Sequence, residues 1–256
     1  MATTRLFTQS IGSVRVDRTD WLKAAALLFV TLDHIGLYVA EADEWWRVIG
    51  RLAAPIFFFL IGYARTRSVP LGWIVLGVAL TLLDSWGDDW KWVAPNILLN
   101  FALLRLALPP PEQWRHVRLF EYLALTAVLV LCVAFVGRLV EYGAEGWLWA
   151  LFGLCQRAYD DYGCGNGRNG RRFVAAFVAV AAYLVTEPHD FWFAPAQVAV
   201  LTVLVGWLAF ALLNYHRGES KFQPPRAMAL ALRFLGRHTL ALYGLQLVIF
   251  EILTHG

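Results

Sequence analysis

Apolar residues run along this chain in long blocks, separated by short polar or proline-bearing joints. A membrane-crossing helix needs about 20 mostly apolar residues, and fewer inside a bundle. Nine blocks qualify: 21–40, 48–66, 71–87, 92–108, 119–138, 144–158, 172–186, 194–215 and 231–253. Pro70, Pro109-Pro110-Pro111, Pro188 and Pro224-Pro225 punctuate their ends. The sixth and seventh blocks are the shortest, so eight crossings stand as the alternative to nine. No solenoid-type repeat divides the pattern. The expected organisation is a polar N-terminal segment over 1–20 and one integral-membrane domain over 21–256. The fold class predicted is all-α, a polytopic membrane helix bundle.

Composition supports this. Of the 256 residues, 59% are hydrophobic and 16% charged, with a mean hydropathy of +0.54, whereas a soluble domain carries about 25% charged residues. The polar surface is too small to cover a soluble core of this size. An ordinary cytosolic enzyme is excluded, as are disordered, fibrous and disulfide-stapled chains. The 12 Trp, 9 Tyr and 17 Phe supply aromatic belts. Cys132 and Cys155 lie in apolar runs and Cys164 in a Gly/Asn/Arg loop, with no metal spacing among them.

Charge then sets the orientation. The net charge of +3 belongs to topology and lipid headgroups rather than to nucleic acid. With nine spans and a cytoplasmic N-terminus, the outer side holds only Arg47, Arg51, Lys91 and Arg138 of the 22 basic residues. The acids lean outward, with Glu41, Asp43, Glu44, Asp84, Asp88, Asp89, Glu141, Glu145, Glu187 and Asp190. That asymmetry follows the positive-inside rule and rejects the inverted topology. Met1–Asp20 has no short cleavable signal, so the first span is expected to be retained.

Ionisable groups inside the hydrocarbon region are costly and count as functional candidates. The first span carries two in succession, Asp33 and His34. Histidine suits a general base near neutral pH, while an interhelical hydrogen bond is its plainer role. Consecutive helical residues point about 100° apart, so Asp33 is expected to hold another helix, with Arg51 the favoured partner. Lys23 precedes His34 by eleven residues, three helical turns plus about 20°. Both therefore share one face, about 16 Å apart. Such a stripe suits a long phosphate-bearing ligand, and a snorkelling anchor is the plainer reading of Lys23.

Asn96 and Asn100 share a face of the fourth span, and Tyr243 and Gln246 lie in the last. Glu141-Tyr142-Gly143-Ala144-Glu145-Gly146 reads as a tight outer turn. Arg233, Arg237 and His238 cluster at the inner start of the ninth span. No phosphate-binding Gly-Lys-Ser/Thr loop, nucleophile elbow, His-Glu-x-x-His or haem pattern is present.

The run Leu22-Lys23-Ala24-Ala25-Ala26-Leu27 followed by Asp33-His34-Ile35-Gly36 resembles the opening signature of the TraX family of conjugal-transfer pilin acetylases. The most specific likeness is Ile49-Gly50-Arg51-Leu52-Ala53-Ala54-Pro55-Ile56-Phe57-Phe58-Phe59-Leu60-Ile61-Gly62-Tyr63. Asn96-Ile97-Leu98, Glu141-Tyr142-Gly143 and Gly236-Arg237-His238-Thr239-Leu240-Ala241-Leu242-Tyr243 are weaker echoes. Together they cover about residues 18 to 250.

By this resemblance the chain falls among the transmembrane acyltransferases, in a bacterial inner membrane. Acetyl-CoA is the implied co-substrate, with no metal. Lys23 and His34 match the superfamily's basic residue, ten intervening residues and histidine. Gln246 departs from the family, where a histidine is expected. The implied roles give His34 proton transfer, with Asp33 and Arg51 beside it. Lys23, Arg65, Arg67, Arg105, Arg233 and Arg237 hold the phosphates, and Tyr63, Asn96, Asn100 and Tyr243 line the cavity. Arg51, or Asn96 and Asn100, stabilises the oxyanion. The acceptor is a pilin N-terminal amine, or a glycan or lipid headgroup at the outer face. A proton-coupled transporter using Asp33 and His34, and a non-catalytic secretion scaffold, are the competing classes.

Overall fold

A computed structural model describes residues 15–40, 43–87, 94–136, 139–165, 167–220 and 222–255. The N-terminal residues 1–14, Lys91 and Arg138 lie outside the described residues. Those described form eleven α-helices, with one isolated antiparallel bridge, Asp17 to Glu219, and no strand among them. The all-α expectation is met. Three segments are long and apolar enough to cross a membrane: Arg18–Tyr38, Trp45–Tyr63 and Pro195–Leu213.

Helix α1 (Arg18–Tyr38) starts three residues before the first apolar block because Asp17 and Asp20 form a capping box. The second block is broken into α2 (Trp45–Gly50) and α3 (Ala53–Tyr63). Pro55 has no amide proton to give the carbonyl of Arg51, four residues back. The Tyr183 hydroxyl donates to that carbonyl instead, at 2.6 Å. Tyr183→Phe should leave a buried carbonyl unsatisfied and cost about 1–3 kcal/mol, to be read from unfolding in micelles. A loss below about 0.5 kcal/mol would mean that water replaces the hydroxyl.

Helices α4 (Leu71–Gly87), α5 (Ile97–Ala107), α6 (Pro111–Trp114) and α7 (Leu119–Val136) follow. The fourth block is shorter as a helix than its 17 positions suggest. Asn96 is the N-cap, its side chain accepting from Leu98 N, and residues 94–96 are not helical. Helix α5 is therefore 11 residues, about 16 Å long. Conversely, α8 (Gly143–Tyr162, 20 residues) and α9 (Arg168–Asp190, 23 residues) outrun the two shortest blocks. Their polar ends stay helical because the bundle shelters them: Gln156, Arg157, Arg168, Arg171 and Glu187 are all buried.

Helices α10 (Pro195–Leu213) and α11 (Arg226–His255) complete the bundle. Helix α11 kinks at His238, whose φ is −108° and ψ 15°. The Gly236 carbonyl just before it accepts from Lys23 Nζ at 3.2 Å and from the Thr239 hydroxyl at 3.2 Å. Side chains inserted into the helical ladder are a recognised cause of such kinks.

Cross-contacts fix the directions. Lys23 meets Gly236, Thr31 meets Gln246 and Tyr38 stacks on Phe250, so α1 and α11 run parallel. Helices α3 and α8 also run parallel, with Phe58 against Tyr142 at one end and Tyr63 against Asp160 at the other; they touch at the centre, where Gly62 abuts the Ala150 backbone and Gly153 the Phe59 backbone. Helices α1 and α2, α4 and α5, and α8 and α9 are antiparallel. Large apolar side chains face outward on α4, α7, α10 and α11, among them Leu71, Phe120, Leu131, Trp207, Phe210 and Leu253.

Candidate functional site

A cavity of about 910 Å³ opens between α1, α2, α3, α5, α8, α9 and α11. Its walls include Val30, Asp33, His34, Arg47, Arg51, Phe57, Asn96, Tyr142, Glu145, Glu187, Phe191 and Tyr243. Residues of the expected outer turns, Glu141, His189 and Asp190, stand at its rim. Its floor reaches Val30, Phe101 and Leu240. Leu240 is one helical turn, about 6 Å, above the Gly236 carbonyl that holds Lys23.

The expected pairing of Asp33 with Arg51 is present and buried. Arg51 Nε donates to Asp33 Oδ1 at 3.0 Å, Nη2 donates to Asp33 Oδ2, and Nη1 donates to Glu187 Oε2 at 3.4 Å. The guanidinium lies 4.3 Å from the centre of the Phe191 ring and 5.8 Å from that of Tyr142. Gly50 permits this arrangement, since a Cβ there would overlap Asp33. Asp33 and Arg51 are thus spent on each other and on Glu187. Among the described residues, Asp33 makes no hydrogen bond to His34. Tyr142 has the left-handed backbone, φ 59°, and Gly143 follows with φ 26°. That turn is costly for a side-chain-bearing residue. It presents the Tyr142 ring to Arg51 and to Phe58, 5.9 Å away.

His34 is buried on the cavity wall at 7% exposure. The rings of Tyr38, Tyr243 and Phe250 surround it at 6.2, 5.9 and 6.0 Å. Its Nδ1 lies 3.3 Å from the Gln246 carboxamide. Lys23 and His34 do share one face of α1, and that face packs on α11.

The cavity-lining expectations divide. Asn96 and Tyr243 line the cavity, and the Asn96 amide nitrogen donates to the Tyr243 hydroxyl at 3.3 Å. Asn100 does not line it. Its amide donates to the Glu141 carbonyl at 2.9 Å and its oxygen accepts from Trp147 Nε1 at 2.8 Å, so it ties helices together. As the cap of α5 rather than a member of it, Asn96 does not share a helical face with Asn100. Tyr63 lies twelve residues beyond Arg51, about 18 Å along the helix, and also falls outside the cavity. Its hydroxyl donates to Asp160 and accepts from Arg217 N at 3.0 Å.

At the other end of the bundle, Lys23, Arg67 and Arg105 converge, each within electrostatic reach of another. Arg67 donates to the carbonyls of Ile61, Gly62 and Pro109, and Arg105 to that of Ser68. Burial, and then the positive charge of Arg105, push Arg67 down to about 10. Asp20 and Asp17 also act on Lys23 and Glu112 on Arg67, so the three cations stand in a field of mixed sign. Arg65 is different: it donates at 2.9 Å to Asp161, a carboxylate it shares with Arg157 at 2.8 Å. Arg233 is half-buried and Arg237 exposed on the first turns of α11.

Two neighbours of His34 were not selected from the sequence. Arg47 counts there only as an outer charge, yet it lines the cavity above Phe191, 4.5 Å from the ring centre. Its Nε is buried with no hydrogen-bond partner among the described residues. Gln246 is visible in the sequence as a polar residue in an apolar run and as a departure from the family's expected histidine, not as the partner of His34. Glu145 and Glu187, counted among outer acids, are buried in the cavity wall, with Thr186 donating to Glu145.

The profile of the TraX protein family matches residues 18–246. The uncharacterized protein RP591 of Rickettsia prowazekii (strain Madrid E) is 33% identical over 98 residues, covering 36% of this chain and 37% of its own. Protein TraX of Escherichia coli is 29% identical over 143 residues, covering 50% of this chain and 52% of its own. The chain thus spans about half or less of the length of these curated relatives. No solved structure matches.

Proposed function

The chain belongs to the TraX family, and on that premise we propose a membrane-embedded acetyltransferase that draws acetyl from cytoplasmic acetyl-CoA. One observation carries the reading. His34 is buried on the wall of a cavity whose floor ends one turn above Lys23, on the same face of α1. The nine helical segments α1, α2–α3, α4, α5, α7, α8, α9, α10 and α11 are taken as nine crossings of a bacterial inner membrane, starting inside. The antiparallel and parallel contacts support that alternation.

Lys23, Arg67 and Arg105 hold the phosphates at the cytoplasmic mouth, with Arg233 and Arg237 nearby. The acceptor, a primary amine such as a pilin N-terminus, enters from the outer rim. A hydroxyl of a glycan or lipid headgroup is the alternative acceptor. His34 takes a proton from the amine as its nitrogen bonds to the thioester carbonyl carbon. Arg47, whose buried Nε has no partner among the described residues, stabilises the oxyanion, a role the paired Arg51 is less free to fill. The C–S bond then breaks, and the coenzyme A thiolate recovers the proton from His34. The products are the acetyl amide and the free thiol. A proton relay through Asp33 and His34 is the weaker reading, because Asp33 is held by Arg51.

The test is acetyl-CoA binding and turnover by the full chain in nanodiscs, with an amine-bearing peptide as acceptor. His34→Ala should lower kcat by about 10²- to 10⁴-fold while acetyl-CoA still binds. Lys23→Met should instead raise KM for acetyl-CoA about tenfold or more, the loss of one charge-assisted bond. Wild-type protein that neither binds nor turns over acetyl-CoA overturns the proposal.

A further inference from the structure

A neutral imidazole has one nitrogen with a proton and one without, and only the bare one accepts a proton. Which nitrogen of His34 is bare is decided by what meets the other. As placed, the Gln246 amide nitrogen faces His34 Nδ1 at 3.3 Å. The amide oxygen then lies 2.8 Å from Thr31 Oγ1. Thr31 Oγ1 also lies 2.7 Å from the Leu27 carbonyl.

Thr31 has a single hydroxyl proton, and a carbonyl oxygen can only accept. That proton therefore goes to Leu27. What remains on Thr31 Oγ1 is lone pairs, so the group facing it must be a donor, the Gln246 NH₂. The two ends of a carboxamide have nearly the same shape, and the proton count decides between them. With the nitrogen on Thr31, the oxygen is turned to His34, where it bonds only if Nδ1 carries the proton. The orientation as placed sets the amide oxygen 2.8 Å from Thr31 Oγ1 with no proton between them, so the carboxamide is turned over.

We infer that Gln246 is a positioning residue: its carboxamide oxygen accepts from His34 Nδ1–H and leaves Nε2 bare toward the cavity. Nε2 has no hydrogen-bond partner among the described residues, and the ring lines the cavity. Asp33, next in sequence to His34, is excluded from this task because Arg51 holds its carboxylate. A neutral amide orients the ring without adding a charge to a buried site. The pairing also accounts for glutamine at a position where the family resemblance suggests histidine. A second imidazole could donate or accept toward His34, whereas the amide anchored on Thr31 presents only its oxygen.

The tautomer stands independently of the reaction, and its catalytic use rests on His34 being the proton acceptor proposed above. Nitrogen NMR of the full chain in micelles, with ring-labelled histidine, reads the tautomer directly. His34 is assigned by the signal that His34→Ala removes. Wild type should show the Nδ1–H form. Gln246→Met should lose that preference and lower kcat roughly 10- to 100-fold, as for other residues that orient a working histidine, with KM for acetyl-CoA unchanged. Gln246→Glu in its protonated form replaces the amide donor with an O–H toward Thr31 and keeps an acceptor oxygen toward Nδ1, so it should retain the tautomer. An Nε2–H signal in wild type, or an unchanged Nδ1–H signal in Gln246→Met, overturns the inference. An Nδ1–H signal in a wild type that transfers no acetyl overturns the reaction and leaves the tautomer standing.

Discussion

Arg51→Met is expected to cost about 3–5 kcal/mol of stability, the range for breaking a buried ion pair from one side. The substitution keeps an apolar chain of similar length and removes the guanidinium that two carboxylates share. Asp33 and Glu187, buried at 6% and 3% exposure, would face each other's field with only the more distant charge of Arg47 between them and no guanidinium bonded to either. A buried charge left unpaired is far costlier than the pair is stabilising. Adding Asp33→Leu to the same protein should recover part of the loss, because one of the two orphaned charges is then gone. Reversible unfolding in mixed micelles, followed by tryptophan fluorescence, measures both. A cost below about 1 kcal/mol for Arg51→Met, typical of an exposed pair, would show that water reaches the cluster.

The second large effect lies at the centre of the bundle. A Cβ at Gly153 would overlap the Phe59 carbonyl oxygen and come within 2.9 Å of both Phe59 C and Tyr63 N. These are backbone atoms, so no side chain can swing aside. Gly153→Val must push α3 away from α8, and should cost about 3 kcal/mol or more, the upper end for overpacking. Helix α3 also carries Ala54 and Phe57 on the cavity wall, opposite Ala144 and Glu145 of α8, so turnover should fall with stability. Gly206→Ala in α10 is the control, because nothing lies within 4 Å of its added methyl. It should be neutral or gain up to about 1 kcal/mol from helix propensity. If the two substitutions behave alike, the close approach of α3 and α8 is not a constraint on the fold.

Much of this protein is written in local arithmetic. Long apolar blocks require helices wherever the backbone cannot bond to water, and eleven residues at about 100° each place Lys23 and His34 on one face whatever surrounds them. The Asp33–Arg51 pair was legible for a related reason. Adjacent helical positions diverge, so the carboxylate had to look to the next helix, and Arg51 stands near its start. Where the sequence misled, a neighbour outside the local pattern intervened. Asn96 caps α5 and shortens it, while Trp147 and Glu141 claim Asn100. Tyr63 shares a helix with the cavity residue Phe57 yet ends at the opposite mouth, because helical rise separates what sequence places close.

Only the tertiary structure could decide the partners of the charged and polar groups. His34 meets Gln246 across 212 positions of sequence, and Arg51 meets Glu187 across 136. No periodicity within a helix encodes such a meeting. It follows from which helix lies beside which, and at what height. That is set by the fit of small residues such as Gly50, Gly62 and Gly153 against opposing backbones. The sequence by itself determined helices, their apolar faces and the Lys23–His34 stripe, since these depend on rise and rotation alone. The cavity, the buried Nε of Arg47 and the carboxamide against His34 were decided by packing, since each needs several distant helices brought to one level.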